Sequence, residues 1–130
     1  MTTLSVRTTQ TDDLVDITER VREAIPAGLD GAVVLYCPHT TAGLLVNEGA
    51  DPDVAMDLLA ALRRLVPRDG PYRHREGNAA AHIRSVLTGS SLLIPVQAGR
   101  LALGVWQRIF LAEYDGPRNR EVLVQFLGPG

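Results

Sequence analysis

Leu4, Val6 and Thr8 alternate with polar neighbours, the period-two pattern of a half-buried strand. Asp16 precedes Ile17-Thr18-Glu19, an aspartate N-cap with a glutamate at capping-box spacing. Val21 and Ile25 lie one turn apart, which predicts a short helix ending before Pro26. Ala32-Val33-Val34-Leu35-Tyr36-Cys37 is a continuous apolar run, the pattern of a strand covered on both faces. Pro38 ends it and leaves His39-Thr40-Thr41 at its mouth. Leu44-Leu45-Val46 begin another strand, with Asn47 and Glu48 at its end.

Asp51-Pro52 starts a helix, because aspartate caps and proline fits the first turn. Ala55, Leu58, Leu59, Leu62, Leu65 and Val66 form its apolar stripe, Arg63 and Arg64 suit its last turn, and Pro67 closes it. Asp69 to Gly77 reads as a polar loop. Asn78 is placed to cap a second helix with Ala79, Ile83, Val86 and Leu87 as its buried face, ending at Gly89. The remainder is β: a strand from Ser91 to Val96, a turn over Gln97–Arg100, a long strand from Leu103 to Tyr114, a turn at Asp115-Gly116-Pro117, and a last strand from Val122 to Leu127. Helices mixed with antiparallel strands and a hairpin ending predict an α+β fold.

The chain has 130 residues, 45% hydrophobic and 22% charged, which predicts one domain spanning residues 1–130 with its own core and excludes wholesale disorder. A net charge of -2 gives no basic footprint, and three Tyr, one Trp and two Phe offer little stacking surface, so no nucleic-acid partner is expected. The single Cys37 excludes an internal disulfide framework. No apolar run approaches the roughly 20 residues that span a bilayer, and Met1 to Arg7 lack the apolar stretch of a signal peptide; no membrane association and a cytoplasmic location are expected.

All three histidines, His39, His74 and His82, lie outside apolar runs. Neutral imidazole is a common ligand of zinc and similar metals, and the Glu76-Gly77 break lets the loop fold back over the next helix. The alternative is three unrelated polar side chains. Among the nearby carboxylates, Asp51 is an N-cap, Asp53 suits a helix start and Asp57 a solvated face. Glu48 and Glu76 have no such structural role and are the candidates for general base or ligand. Thr40, Thr41 and Ser90 are candidate anion contacts, with backbone N–H groups at the Gly89-Ser90-Ser91 turn. Arg118 and Arg120 present planar forks suited to phosphate, or form a solvated turn. Cys37 is either a core residue or, two positions from His39 on the same strand face, a thiol of the same pocket.

Together these residues resemble the YjbQ-like family, also called the secondary thiamine-phosphate synthase family. The resemblance is carried by Pro38-His39-Thr40-Thr41-Ala42, Asn47-Glu48, Ala50-Asp51-Pro52-Asp53-Val54, Asp69-Gly70-Pro71-Tyr72, His74, Glu76-Gly77-Asn78, Ala81-His82-Ile83, Gly89-Ser90-Ser91, Gly99 to Gly104, Trp106-Gln107 and Asp115-Gly116-Pro117-Arg118. It covers nearly the whole chain. Gly49, Val105 and Asn119 depart from the family's usual asparagine, threonine and basic residue. The resemblance implies a β-sandwich or barrel-like sheet with flanking helices and a homotrimer. It also implies a divalent metal, zinc foremost, near His39, His74 and His82, with Thr40, Thr41, Asn78, Ser90 and Arg118 beside a small phosphorylated substrate. Family members are linked to a weak thiamine-phosphate synthase activity, which joins a pyrimidine diphosphate to a thiazole phosphate and releases pyrophosphate. Metal-assisted chemistry with Glu48 or Glu76 moving the proton is the leading expectation; a non-catalytic oligomeric module binding a metal or anion is the alternative.

Overall fold

The computed structural model of the chain describes residues 1–129. In chain order its elements are β1 (Thr2–Arg7), β2 (Asp13–Asp16), α1 (Thr18–Ala24), β3 (Gly31–Tyr36), β4 (Ala42–Glu48), α2 (Pro52–Leu65), α3 (Ala79–Thr88), β5 (Ser91–Gln97), β6 (Arg100–Leu101), β7 (Gln107–Glu113) and β8 (Asn119–Leu127). The strands form a five-stranded sheet, β1-β8-β3-β5-β6, and a three-stranded sheet, β2-β7-β4, with every pairing antiparallel. The α+β class read from the sequence is present. Among the described residues no helix is long and apolar enough to cross a membrane.

Side chains of alternate positions fill the space between the two sheets: Leu4 and Val6 from β1, Val33 and Leu35 from β3, Leu44 from β4, Ile109 and Leu111 from β7, Val122 and Val124 from β8. Ile17 and Val21 of the first helical segment close one end of this core. The opposite face of β7 presents Ala112 and Tyr114 to Ala81 of α3 and to Leu59 and Leu62 of α2. The strand covered on both faces is therefore β7, the central strand of the small sheet, and not the run Ala32–Cys37. In β3 only Val33 and Leu35 are fully buried, while Tyr36 stays 46% exposed on the outer face.

Local chemistry explains the helix starts. Asp51 Oδ1 accepts the Asp53 N–H at 2.9 Å with Pro52 in the first turn, as the sequence predicts. At α1, Asp16 Oδ1 accepts from the Thr18 N–H at 2.9 Å, but Glu19 turns outward to Arg22 and Arg108 and completes no capping box. Asn78 does not cap α3: its Nδ2 donates to Asp115 Oδ2 at 3.0 Å, and its buried Oδ1 has no partner among the described residues.

The α3 face also differs from the apolar stripe. Ala80, Ala81, Arg84 and Ser85 face inward, whereas Ile83, Val86 and Leu87 are exposed. Small residues let the helix approach β4 closely, and Arg84 spends its guanidinium on the end of α2: Nη2 donates to the Val66 carbonyl at 2.9 Å and Nη1 to Asp12 at 3.2 Å. α2 itself buries none of its residues; Leu58, Leu59 and Leu62 are half-buried and Leu65 is exposed. The long strand is shorter than the pattern suggests, because Gly104 and Gln107 close a turn that leaves both Trp106 and Gln107 exposed.

The terminal hairpin is a further correction. β7 and β8 flank the Asp115-Gly116-Pro117 turn but do not pair; β7 lies in the small sheet and β8 in the large one. A buried ion pair sits at this crossing. Arg120 (4% exposed) reaches under the turn to Glu113 (0%), its Nε 2.9 Å from Oε1 and its Nη2 also on the carboxylate. Thr8 Oγ1 donates to Glu113 Oε1 at 2.7 Å, and Arg120 Nη2 donates to Thr41 Oγ1 at 2.8 Å. Burial by itself pushes the Glu113 carboxyl up, but the hydrogen bonds from Arg120, Thr8 and the Asp115 N–H outweigh it and hold the group below its ordinary 4.5.

Removing one partner of such a pair strands the other charge, so Glu113→Ala is expected to lose about 3–5 kcal/mol in urea unfolding. The double variant Glu113→Leu/Arg120→Met is expected to lose clearly less. Because the folded carboxyl titrates below its unfolded value, its contribution is full above about pH 4.5 and fades as pH falls through the depressed value. Glu113→Gln should therefore flatten the acid limb of the stability curve. An unchanged acid limb, or a double variant as unstable as Glu113→Ala, contradicts this account.

Candidate functional site

The segment Pro38–Thr41 carries the chain from β3 in one sheet to β4 in the other. It stands beside α3 and the Gly89–Ser90 turn. Gly43 permits the close approach there, since a Cβ would lie 2.6 Å from the Gly89 carbonyl oxygen. Ser85 Oγ fastens α3 to β4 by donating to the Ala42 carbonyl at 2.6 Å. What remains between α3 and the Pro38–Thr41 segment is an open cleft of about 740 Å³, lined by Cys37, His39, Thr40, His82, Ser85 and Ser90 among others.

A second cleft of about 520 Å³ lies between the loop and α3, with Tyr72, His74, His82 and Ile83 in its wall. His82 is common to both clefts. Its ring meets His74 edge to face, with centroids 5.2 Å apart. Glu76 Oε2 lies 3.7 Å from His74 Nε2. The fold-back of the loop over the first turn of α3 thus sets His74 beside His82 and, separately, within 3.7 Å of Glu76.

His39 is held differently. Its Nε2 accepts the Glu121 N–H at 2.9 Å. Burial and the nearby Arg120 charge push the imidazole below its ordinary value, which keeps the ring neutral. Cys37 is buried beneath, its sulfur accepting the His39 backbone N–H, and burial pushes the thiol up. A neutral, buried thiol is a poor nucleophile. Among the described residues no three His, Cys, Asp or Glu side chains are gathered as a group able to hold a metal. Within one chain the three imidazoles are a pair and a neighbour.

The other sequence candidates scatter. Thr40 and Ser90 line the large cleft. Thr41 is buried under it as a partner of Arg120. Asn78 is tied to Asp115. Arg118 is folded onto its own turn, Nε to the Asp115 carbonyl at 2.7 Å and Nη2 to its carboxylate at 2.9 Å. Arg120 is no surface phosphate grip but half of the buried pair. Glu48 pairs with Gln107 at the far end of β4, six residues from Ala42, roughly 20 Å along the strand, and is not brought to the histidines. Sequence reasoning missed Glu113, Arg84 and Ser85. For Ser85 the signal was the run Ala79-Ala80-Ala81, whose small side chains mark the face of α3 that approaches the sheet.

A family model, UPF0047 protein YjbQ-like, matches residues 2–129. A UPF0047 protein of Methanocaldococcus jannaschii is 46% identical over 95% of this chain and 91% of its own. The UPF0047 protein YugU of Bacillus subtilis is 44% identical over 97% and 98%. A conserved hypothetical protein of Thermus thermophilus has a crystal structure that superposes with a TM-score of 0.93 at 52% identity, covering 98% of this chain and 100% of that one. The chain belongs to the YjbQ-like UPF0047 family.

Cys37 is expected to resist a thiol-specific disulfide reagent in the native state, more than about tenfold slower than in urea. Rapid native labelling contradicts the buried, neutral thiol.

Proposed function

We propose that this family member binds a small phosphorylated molecule in the cleft beside His39 and holds a divalent cation, zinc foremost, at the His74–His82 pair. The observation that carries the reading is the spacing of the two rings at the shared wall of both clefts. With zinc–nitrogen bonds of about 2.0–2.1 Å, two imidazoles on one tetrahedral ion have centroids about 5 Å apart. The 5.2 Å separation fits that requirement. Glu76, beside His74, is a further oxygen donor or the group that moves a proton. The cation, when bound, neutralises phosphate oxygens. Thr40 and Ser90 offer hydroxyls in the large cleft.

An anion pocket next to a cation supports transfer with loss of pyrophosphate, the thiamine-phosphate synthase-like reaction that the sequence resemblance implies. Assembly into a homotrimer belongs to the same proposal. Exposed Ile83, Val86 and Leu87 on α3, with Tyr36, Leu93 and Leu127 on the outer face of the large sheet, are apolar area that further copies of the chain would cover. Assembly is also the route by which Glu48 would reach a site from a neighbouring copy.

Zinc titration followed by metal analysis tests the centre. The wild type is expected to retain zinc, and His82→Ala to bind it on the order of a hundredfold more weakly with an unchanged circular dichroism spectrum. Sedimentation is expected at about three times the chain mass. Turnover is to be followed with the pyrimidine diphosphate and thiazole phosphate. Zinc uptake unchanged in His82→Ala refutes the centre; tight phosphate binding with no turnover reduces the protein to a binding module.

A further inference from the structure

We propose that His39 is a hydrogen-bond donor, through Nδ1–H, to an oxyanion in the large cleft and does not ligate the cation; the donor role rests on the cleft reading above. The argument starts from the β ladder. The register pairs Leu35 with Val124 and Tyr36 with Leu123, so its continuation would set Pro38 opposite Glu121. β3 ends before that point, and the His39 ring takes the place of the missing strand acceptor: Glu121 N–H donates to Nε2 at 2.9 Å. Glu121 cannot easily turn away. It pairs with Ser5 on the other side and follows Arg120, whose guanidinium is locked on Glu113.

A ring nitrogen that accepts an N–H bond carries a lone pair, so the proton of the neutral ring sits on the other nitrogen. Coordination through Nδ1 would demand a second lone pair and make the ring an anion. Coordination through Nε2 would break the bond to Glu121. The ring therefore lines the cleft with a proton on Nδ1 that no protein group among the described residues takes up. Its neighbours there, Thr40 and Ser90, carry hydroxyls; the nearby Arg120 charge is paired with Glu113, and Glu121 adds a carboxylate, so recognition there rests on the ring N–H and the hydroxyls. A donor of this kind, with hydroxyls beside it, recognises a phosphoryl oxygen.

The test uses the full chain labelled with ¹⁵N in its histidines. Long-range ¹H–¹⁵N spectra near neutral pH are expected to show the Nδ1–H form for His39, unchanged by zinc, while His74 and His82 signals change. Titration with inorganic phosphate is expected to find His39→Ala about tenfold weaker than wild type. His39→Asn, which keeps an N–H near the Nδ1 position, is expected to stay within about threefold, and both variants should retain zinc. The Nε2–H form, a His39 pattern altered by zinc, zinc lost from His39→Ala, or equal phosphate affinity in the two variants would overturn the proposal. A wild type that binds no phosphate sinks the cleft reading and the donor role together. Phosphate binding without zinc uptake removes only the cation centre and leaves the donor in place.

Discussion

Glu113 and Arg120 stand seven residues apart on strands that belong to different sheets, and their ion pair fixes how the sheets meet. A tight turn between two strands ordinarily yields a hairpin. Here the chain crosses from the small sheet to the large one at Gly116-Pro117, and the pair bridges the crossing from beneath. Thr8 at the end of β1 and Thr41 at the start of β4 add their hydroxyls, so four segments converge on two opposite charges. Buried charges are costly unless every donor and acceptor is used, and this set is nearly complete. The result is a charged corner beside the mainly aliphatic core between the sheets.

That corner also supports the candidate site. Thr41 is held by Arg120, and two residues earlier His39 is held by the amide that follows Arg120. The cleft wall is thus pinned at both ends by one guanidinium and the backbone next to it. On the opposite wall, α3 lies close to β4 through alanines and Ser85, and Arg84 ties it to the end of α2. The histidine pair rests on a less rigid base, because His74 comes from an exposed loop while His82 sits on the helix.

Much of the fold was legible where local chemistry decides it. Asp51-Pro52 and Pro67 bound α2 because capping and proline geometry act within a few residues. The strand read over Ser91 to Val96 is present and runs one residue further, to Gln97. The misread features were those set by distant partners. The runs Ala32–Cys37 and Ile109–Ala112 are both apolar, and only the tertiary position of the helices decides which is covered twice. The α3 stripe Ile83, Val86 and Leu87 is apolar but faces outward, since close approach to β4 required small residues. The family resemblance grouped the three histidines, and the fold brings His74 and His82 side by side. It did not reveal that Nε2 of His39 is already committed, a fact that depends on where β3 stops.

Native-state hydrogen exchange at the Glu121 amide tests the central claim most directly, namely that the Glu113–Arg120 pair positions the cleft wall. Its hydrogen bond to His39 exists only while β8 is held in place beneath the Pro38–Thr41 segment. In Glu113→Gln the account predicts that Glu121 and Tyr114, whose amide donates to the Thr41 carbonyl, lose protection selectively. The amides of Val33 and Leu35 in the core should follow only the global change in stability. Protection at Glu121 that tracks the core amides, or does not change at all, would contradict it.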